Sequence, residues 1–263
     1  MRRTLLALAA CFALPAFAVD TASWTQPTEP HVIYGNTYYV GMKGVSSVLV
    51  TSPQGHVLID APLEENVPQI EANIRKLGFR VEDIKVILNS HAHFDHAGGI
   101  AGLAKDSGAT VRATAAGARE LRLGGDDPSD PQHGGVHLFP KVDAVGDIAD
   151  GTVVKVGPLR LTAHITPGHT AGGTAWTWES CVDNSCKSIA YVDSLTAYSA
   201  GTYRYSDHPE FVAAFRKTFD RVAALPCDIL VAPHPEQAEG KTCKTYAEAG
   251  RKRLDEKLAE EKR

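Results

Sequence analysis

The sequence lacks three features that would assign it to other classes of protein. It has no basic patch and its formal net charge is only −4, so nucleic-acid binding has little support. After the first eighteen residues, no apolar run is long enough to cross a bilayer, so we expect no stable membrane anchor. No Ser-rich or low-complexity segment divides the chain. We therefore expect residues 19–263 to fold as a single domain, and we expect that domain to be a monomer.

The first residues have the pattern of an export signal. Arg2 and Arg3 precede the apolar run TLLALAACFALPAF, and the small-residue cleavage pattern AFA follows at residues 16–18. This arrangement predicts a secretory signal peptide over residues 1–18 that is cleaved before Val19. The mature protein is therefore expected in the periplasm.

The most informative stretch is HAHFDH at residues 91–96, which has three imidazoles and a carboxylate within six positions. Close-set histidine and aspartate residues favour a metal or catalytic site over ordinary packing. The stretch follows a predicted buried strand at 81–90 and precedes a predicted helix at 97–106. The ligands would therefore lie on a loop at the end of a strand, where open α/β sheets place their sites.

The spacing within this stretch divides its ligands between two metals. If the loop is locally extended, His91 and His93 point the same way, and Asp95 and His96 can reach a second ion. Neutral imidazole and carboxylate are standard zinc ligands. Two metals roughly 3.5–4 Å apart can share a bridging hydroxide. The stretch therefore predicts a two-metal site whose remaining ligands lie elsewhere in the chain.

Two later histidines are placed to complete the ligand sets. His169 follows the apolar-patterned segment 159–165 and lies in TPGHTAGG, whose glycines allow a tight turn. His234 follows a predicted strand at 228–232 and lies between two prolines that stiffen its position. Each histidine alone is a weak candidate, but with HAHFDH they complete two sets of three ligands.

The motifs HAHFDH, GHTAGG and APHP, in this order, resemble those of the metallo-β-lactamase superfamily. The resemblance covers nearly the whole mature chain. YVDSLTAYSA at 191–200 resembles the DSLT segment of subclass B3 metallo-β-lactamases, which carry a serine, here Ser194, where other subclasses use a metal-binding cysteine. The resemblance implies that six side chains bind two zinc ions. The first-zinc ligands would be His91, His93 and His169, and the second-zinc ligands would be Asp95, His96 and His234.

The same resemblance implies hydrolysis of β-lactam antibiotics, namely penicillins, cephalosporins and carbapenems, and hence antibiotic resistance. A zinc-bound water would lose its proton near neutral pH and attack the β-lactam carbonyl as hydroxide. Asp95 would bind metal and also orient this hydroxide, and Ser194 would form no covalent intermediate. By resemblance, Ser194 and Thr196 bind the substrate carboxylate, and Gln132 contacts the substrate.

The superfamily fold would be an α/β fold, a four-layer αβ/βα sandwich of two mixed sheets flanked by helices, and the hydrophobic pattern agrees with it. Apolar, β-branched and aromatic residues predict strands at 32–40, 46–52 and 56–60. Apolar residues at helical spacing predict a helix at 64–77. The C-terminal half repeats the order, with strands around 152–165, 174–179, 188–193 and 228–232 and helices at 208–225 and 246–263.

Removal of the signal peptide leaves four cysteines, and an even count in an exported protein suggests disulfides. Cys181 and Cys186 flank a predicted hairpin turn, so we expect a local bridge between them. Cys227 would then pair with Cys243, as is often the case in subclass B3 enzymes. Free buried thiols are disfavoured in an oxidising compartment. A cysteine metal ligand is not expected, since none lies near the histidine motifs.

Two other functions remain open. A lactonase or a glyoxalase II-like thioesterase of the same superfamily would use an Asp after the third motif as a bridging metal ligand, and Asp193 is a candidate for that role. The export signal and the DSLT context argue against the thioesterase, whose usual thiol substrate is cytosolic. The second alternative is a periplasmic zinc-binding protein that hydrolyses no ester, thioester or lactam.

Overall fold

The computed structural model describes residues 21–263, which form two β-sheets and the helices that cover them. The predicted signal peptide at 1–18 lies outside the described residues. The strands of the first sheet are β1 His31–Tyr34, β2 Thr37–Tyr39, β3 Val48–Val50, β4 His56–Ile59, β5 Ile84–Leu88, β6 Thr110–Thr114 and β7 Ala144–Ile148. Those of the second sheet are β8 Val153–Val156, β9 Leu159–Ile165, β10 Thr174–Val182, β11 Ser185–Tyr191 and β12 Ile229–Val231. The α-helices are α1 Val67–Lys76, α2 Phe94–Ala97, α3 Ile100–Ser107, α4 Ala115–Leu123, α5 Pro209–Ala223, α6 Pro235–Ala238 and α7 Cys243–Glu260.

Both sheets are mixed. Within residues 21–263 the first sheet has seven strands in sequence order, and the second has five in the order β12-β11-β10-β9-β8. Strands β1 to β4 pair antiparallel, whereas β4 to β7 pair parallel. In the second sheet only the β11–β12 pair of the described chain is parallel. Because β4 and β5 run parallel, the segments that follow them leave the sheet at the same edge.

The segment at 32–40 forms a hairpin of two short strands, and the prediction of one continuous strand there is wrong. Gly35 has a φ of +53° and lies in the turn between β1 and β2. Glycine adopts this left-handed conformation without the steric cost that other residues incur. The apolar pattern therefore identified extended chain correctly, but the glycine divides it.

An apolar layer fills the space between the two sheets. The alternation of side chains along β4 builds it, because Val57 and Ile59 face the second sheet while Leu58 faces the helices. Trp178 enters this layer from the second sheet, and its indole donates a hydrogen bond to Oγ1 of Thr37 at 2.9 Å. The two sheets are thus joined by apolar packing and by a buried polar contact.

Helices cover the outer face of each sheet. On the first sheet, Ile70 and Ile74 of α1 and Leu103 of α3 are fully buried. On the second sheet, Phe215 and Phe219 of α5 pack in a cluster that also includes residues of α7. The order helix, sheet, sheet, helix is the predicted αβ/βα sandwich, and this prediction is confirmed.

The predicted helices at 64–77, 208–225 and 246–263 correspond to α1, α5 and α7. The first begins with a 3-10 turn at Glu64–Asn66 before α1. The last begins earlier than predicted, because the hydroxyl of Thr242 accepts a hydrogen bond from the backbone N–H of Thr245 and caps α7.

Two disulfides join the predicted cysteine pairs. Cys181–Cys186 closes the hairpin of β10 and β11, and Cys227–Cys243 ties the segment before β12 to the start of α7. Among the helices within residues 21–263, none is both long enough and apolar enough to cross a membrane.

Candidate metal centre

The loop that carries HAHFDH is fixed at its start by a buried carboxylate. Asp60, which follows β4, accepts hydrogen bonds from the backbone N–H of Ser90 at 2.7 Å and from Nδ2 of Asn89 at 2.9 Å. Oδ2 of Asp60 accepts a hydrogen bond from the hydroxyl of Tyr191 at 2.7 Å. Sequence reasoning missed Asp60, because a single aspartate at the end of a strand carries no signal of its own.

His91, His93 and His169 are buried side by side, and their ligand-capable atoms lie within 4.8 Å of one another. His91 donates from Nδ1 to Oδ1 of Asp193 at 2.7 Å. Its Nε2 has no hydrogen-bond partner among the described residues. A buried nitrogen without a partner is rare, and a metal ion among the three rings would satisfy it.

The other two imidazoles are also held through one nitrogen and leave the second for the cluster. Nε2 of His93 lies 3.1 Å from Oδ1 of Asp130, and Nδ1 of His169 lies 2.9 Å from the carbonyl of Thr196. The remaining nitrogens of both rings face the amide nitrogen of Gln132, which lies 3.5 Å from Nδ1 of His93 and 3.3 Å from Nε2 of His169. This arrangement is typical of metal-binding histidines, whose second nitrogen is oriented by a carboxylate or a carbonyl.

The three predicted ligands of the second ion also meet. Oδ2 of Asp95 lies 3.2 Å from Nε2 of His96 and 3.3 Å from Nε2 of His234, and the two nitrogens are 3.2 Å apart. His234 donates from Nδ1 to the carbonyl of Gly44 at 3.0 Å, and the ring of Trp24 lies beside it at 5.3 Å. Asp95 and His96 belong to the single helical turn α2, so the expectation of a loop holds only for the residues before it.

Burial and neighbouring charges favour the protonation states that bind metal at three of the predicted ligands, His91, His169 and Asp95. Burial lowers the pKa of His91 well below its usual range, and nearby imidazoles such as His96 add to this. Burial also lowers the pKa of His169 to about 3. Burial raises the pKa of Asp95, but the charge of His96 and the hydrogen bond from His234 outweigh it, so this pKa lies well below its usual range. Burial lowers the pKa of His234, but the hydrogen bond and the charge of Asp95 outweigh it and raise that pKa overall. The site thus favours neutral imidazoles at His91 and His169 and an ionised carboxylate at Asp95.

His169 owes its position to a tight turn against α5. Gly168 has a φ of +154°, and a Cβ placed there would overlap the ring of Phe215. The hydroxyl of Thr218 donates to the carbonyl of Pro167 at 2.7 Å. Only glycine fits this approach of backbone to ring, so the sequence PGH places the imidazole by shape as well as by hydrogen bonds.

His234 is placed by contacts of the two residues that precede it. The backbone N–H of Ser46 donates to the carbonyl of Pro233 at 2.8 Å, and its hydroxyl donates to the carbonyl of Ala232 at 2.7 Å. The loop after β2 therefore holds the end of β12 and brings His234 to the α2 ligands.

Two of the three predicted substrate-binding residues lie against a predicted metal ligand. Gln132 approaches His169 as described above, and Oγ1 of Thr196 lies 3.0 Å from Nδ1 of His169. Ser194 is buried and donates its backbone N–H to Oδ1 of Asp193 at 2.8 Å. The structure thus brings Gln132 to the metal-facing nitrogens of the cluster, places Thr196 behind His169, and relates Ser194 to the cluster through Asp193.

Asp193 lies behind His91 rather than among the ligand atoms. Its Oδ1 contacts Nδ1 of His91, on the far side of the ring from the unpartnered Nε2. Sequence reasoning raised Asp193 only as a bridging ligand and missed its contact with His91. It also missed Asp130, whose only local signal was its place two residues before Gln132.

The donor set fits zinc better than a hard cation. Calcium and magnesium prefer oxygen ligands, whereas zinc accepts imidazole nitrogen together with carboxylate oxygen. Here five imidazoles and one carboxylate converge. The two triads are in contact through His91 and His96, whose ring centroids are 4.5 Å apart. The five imidazoles are those of His91, His93, His96, His169 and His234, and the carboxylate is that of Asp95.

Comparison with known proteins identifies a family and similar solved structures. The family described as the metallo-beta-lactamase superfamily matches residues 40–181. The structure of Rm3 metallo-beta-lactamase has a TM-score of 0.89 and 44% identity, covering 94% of this chain and 99% of that one. The structure of MEM-A1, a subclass B3 metallo-beta-lactamase from a soil metagenome library, has a TM-score of 0.88 and 45% identity, covering 90% and 98%.

A curated relative carries a different activity in its name. A hydroxyacylglutathione hydrolase of Methylobacterium nodulans is 30% identical over 193 residues, which cover 70% of this chain and 63% of that protein. The chain spans less than two thirds of the length of the curated relatives it matches. The family match extends over more than half of the chain, and the solved subclass B3 structures align with nearly all of the described residues. The chain belongs to the metallo-β-lactamase superfamily and resembles its subclass B3 members.

Proposed function

We propose that this protein is a zinc-dependent β-lactamase that binds two zinc ions and hydrolyses penicillins, cephalosporins and carbapenems. One observation carries the proposal. Two triads of buried ligand atoms face each other in a chain that is 44% identical to Rm3 metallo-beta-lactamase over 94% of its length. His91, His93 and His169 would hold one ion, and Asp95, His96 and His234 would hold the other.

Zinc, when bound, would supply a water of lowered pKa and a Lewis acid for the substrate carbonyl. The side chains of the protein keep this site in order. Asp193 and Asp130 each hold one nitrogen of a ligating imidazole, at 2.7 Å for His91 and 3.1 Å for His93. Each ring therefore presents a fixed tautomer and a fixed direction, which lowers the cost of binding metal. Asp95 remains ionised and would orient the attacking water.

The substrate is bound beside the first triad in this proposal. Gln132 approaches Nε2 of His169, so a substrate carboxylate or carbonyl near Gln132 would also be near the first ion. Thr196 contacts Nδ1 on the other side of the same ring, and its role as a substrate contact rests on the resemblance. Ser194 would bind the substrate carboxylate directly or through water. No covalent intermediate is needed, and the buried contact of Ser194 with Asp193 suits a supporting role.

Location and physiological role follow from the same proposal. The predicted signal peptide at 1–18 and the two disulfides support a periplasmic protein. A periplasmic β-lactamase would destroy antibiotics before they reach their targets and so confer resistance. We propose that the mature chain, residues 19–263, acts as a monomer.

The test is hydrolysis of a penicillin, a cephalosporin and a carbapenem by the purified mature chain, with zinc and then with a chelator. Fast ring opening that the chelator abolishes supports the proposal. His169→Ala should lower the zinc content and nearly abolish turnover, whereas His164→Ala, on the strand before it, should change neither. Full zinc content and normal rates in His169→Ala would contradict the ligand assignment.

The second candidate is a thioesterase or a lactonase, and the curated hydroxyacylglutathione hydrolases favour it. That activity would use a bridging aspartate, and Asp193 points at Nδ1 of His91 instead. Hydrolysis of a thioester or a lactone, with no β-lactam opened by the zinc-loaded chain, would favour this candidate. Zinc binding with no hydrolysis of any of these substrates would favour a binding protein.

A further inference from the structure

Two buried carboxyl oxygens behind the first triad have no hydrogen-bond partner. Glu120, on α4, is 3% exposed, and Asp130, in the loop that follows α4, is 5% exposed. Oε1 of Glu120 and Oδ2 of Asp130 are buried and unpartnered among residues 21–263. Leaving a buried polar atom without a partner costs free energy, and a buried charge costs more. A native structure therefore requires an explanation for both atoms.

The two unpartnered groups are neighbours and both lie beside His93. The ligand-capable atoms of His93, Glu120 and Asp130 lie within 4.8 Å of one another. Oδ1 of Asp130 already accepts the backbone N–H of Gln132 at 2.6 Å and faces Nε2 of His93 at 3.1 Å. One proton between Glu120 and Asp130 accounts for both unpartnered oxygens, because a carboxylic acid donates and a carboxylate accepts.

We propose that Glu120 is a positioning residue for His93 and acts through Asp130. In this arrangement Glu120 is a neutral acid that donates a hydrogen bond to Asp130. Asp130 stays ionised and accepts the Nε2 proton of His93, so Nδ1 of His93 is left bare for the metal. The inference rests on the proposed function, because the orientation of His93 matters only if His93 binds zinc.

The electrostatic surroundings place the proton on Glu120. Burial raises the pKa of Glu120 well above its usual range, and the negative charges of Asp130 and Asp127 raise it further. Oδ1 of Asp130 already faces two N–H groups, the backbone N–H of Gln132 and Nε2 of His93, so Asp130 is the carboxyl whose ionised form is stabilised by hydrogen bonds. Two like charges at this distance in a buried site would repel, so one carboxyl remains neutral.

The same helix offers a matched control. Arg119 precedes Glu120 and pairs with Asp127 at 2.7 Å, so it also ties α4 to the loop. Arg119 is more than half exposed, and within residues 21–263 its ion pair is with Asp127 and not with Asp130. Arg119→Ala therefore removes a contact between α4 and the loop but leaves the proposed hydrogen bond intact. If zinc affinity depended only on a general tethering of the loop, Arg119→Ala would lower it as much as Glu120→Leu does.

The experiment measures zinc affinity by competition with a chromophoric chelator, using the mature chain with Glu120→Gln, Glu120→Leu or Arg119→Ala. Glu120→Leu should weaken binding about tenfold, as expected when a group that supports a metal ligand is lost. Glu120→Gln keeps a neutral donor and should stay within about threefold of wild type. Arg119→Ala should match wild type. In the metal-free proteins, ¹⁵N NMR should show His93 protonated at Nε2 in wild type and Glu120→Gln, and a mixture of tautomers in Glu120→Leu.

Several results would overturn the inference. Wild-type affinity in Glu120→Leu would do so, and so would a loss in Glu120→Gln or Arg119→Ala as large as that in Glu120→Leu. If Glu120→Leu does not fold, Glu120→Gln still decides, because an ionised Glu120 would make that change costly. A third zinc ion, absent from both Glu120 variants, would show a cation in place of the proton. A wild-type chain that binds no zinc would instead overturn the proposed function.

Discussion

Nδ1 of His91 lies 2.7 Å from Oδ1 of Asp193, and both side chains are almost completely buried. The carboxylate holds the imidazole from behind and turns Nε2 toward the other rings. A ligating histidine held in this way has a fixed tautomer and a fixed orientation. This contact favours the β-lactamase over the thioesterase or lactonase, because the bridging aspartate of those enzymes would have to face the metals.

Asp193→Ala should weaken zinc binding about 10- to 100-fold without lowering the number of ions bound at saturation, because it removes a supporting group and no ligand. Asp193→Asn should lose less, since its amide carbonyl can still accept the His91 proton. Zinc titration followed by metal analysis at saturation measures both quantities. Loss of one whole ion in Asp193→Ala would support the bridging role and the thioesterase or lactonase function.

Gly168→Ala should destabilise the protein by about 3 kcal/mol, because the new methyl group overlaps the Phe215 ring and the backbone is in a left-handed region. It should also weaken zinc binding, since His169 is the next residue. Gly108→Ala is the control. It has a φ of +72° with no atom within 4 Å of the added Cβ, so it should cost only about 1–2 kcal/mol and leave zinc binding unchanged. Urea unfolding and zinc titration would show whether the two variants differ; equal effects would contradict the packing argument.

Glu261 links the end of α7 to the turn beside the site. Its carboxylate accepts the backbone N–H groups of Tyr205 at 3.1 Å and Ser206 at 2.8 Å, and the Tyr205 hydroxyl donates to the carbonyl of Gly168 at 3.2 Å. Burial raises the pKa of Glu261, but these hydrogen bonds outweigh it and lower the pKa below its ordinary value of 4.5. A carboxyl with a lowered folded pKa stabilises the protein above that ordinary value, and the contribution is lost as the pH falls through the folded pKa.

Glu261→Gln should therefore lower the free energy of unfolding at pH 7 by about 1 kcal/mol, the usual net contribution of a hydrogen bond that is lost or weakened. The difference from wild type should shrink as the pH falls below 4.5. Urea unfolding of the metal-free proteins at several pH values would measure it. Glu260→Gln, an exposed neighbour, should show no such trend; a constant difference for Glu261→Gln at every pH would contradict the prediction.

The two disulfides should differ in their contribution to stability. Cys227–Cys243 closes a sequence separation of 16 residues, and Cys181–Cys186 closes one of 5. Chain entropy then predicts a loss of about 3 kcal/mol for Cys227→Ala with Cys243→Ala and about 2 kcal/mol for Cys181→Ala with Cys186→Ala. Urea unfolding of the two double variants would test the order, and a larger loss for the hairpin pair would contradict it.

The fold and the candidate ligands could be predicted from local patterns. HAHFDH carries four ligand-type side chains within one short segment, and His169 and His234 each follow a strand. The alternation of side chains along β4 and the helical stripe of α5 predicted a strand and a helix, whereas the sandwich was implied by the resemblance to the metallo-β-lactamase superfamily. The hairpin at Gly35 was missed, because the apolar pattern continues across the turn and only the backbone conformation divides it.

The groups that orient the ligands could not be predicted in the same way. Asp60, Glu120 and Asp130 belong to none of the histidine motifs, and nothing in their sequence neighbours distinguishes them from solvated carboxylates. Asp130 contacts His93 from a separate loop, and Asp60 contacts Tyr191 from the other half of the chain. Such contacts form only when the tertiary fold brings these segments together.

By itself, the sequence determined which residue types could bind metal and which segments would be strands or helices, because both depend on local composition and spacing. The tertiary structure alone decided which nitrogen of each histidine faces the centre, and that Asp193 contacts Nδ1 of His91. Those choices depend on hydrogen bonds between distant segments and on burial, which raises the cost of every unpaired polar atom. Neither quantity exists until the two sheets have packed together.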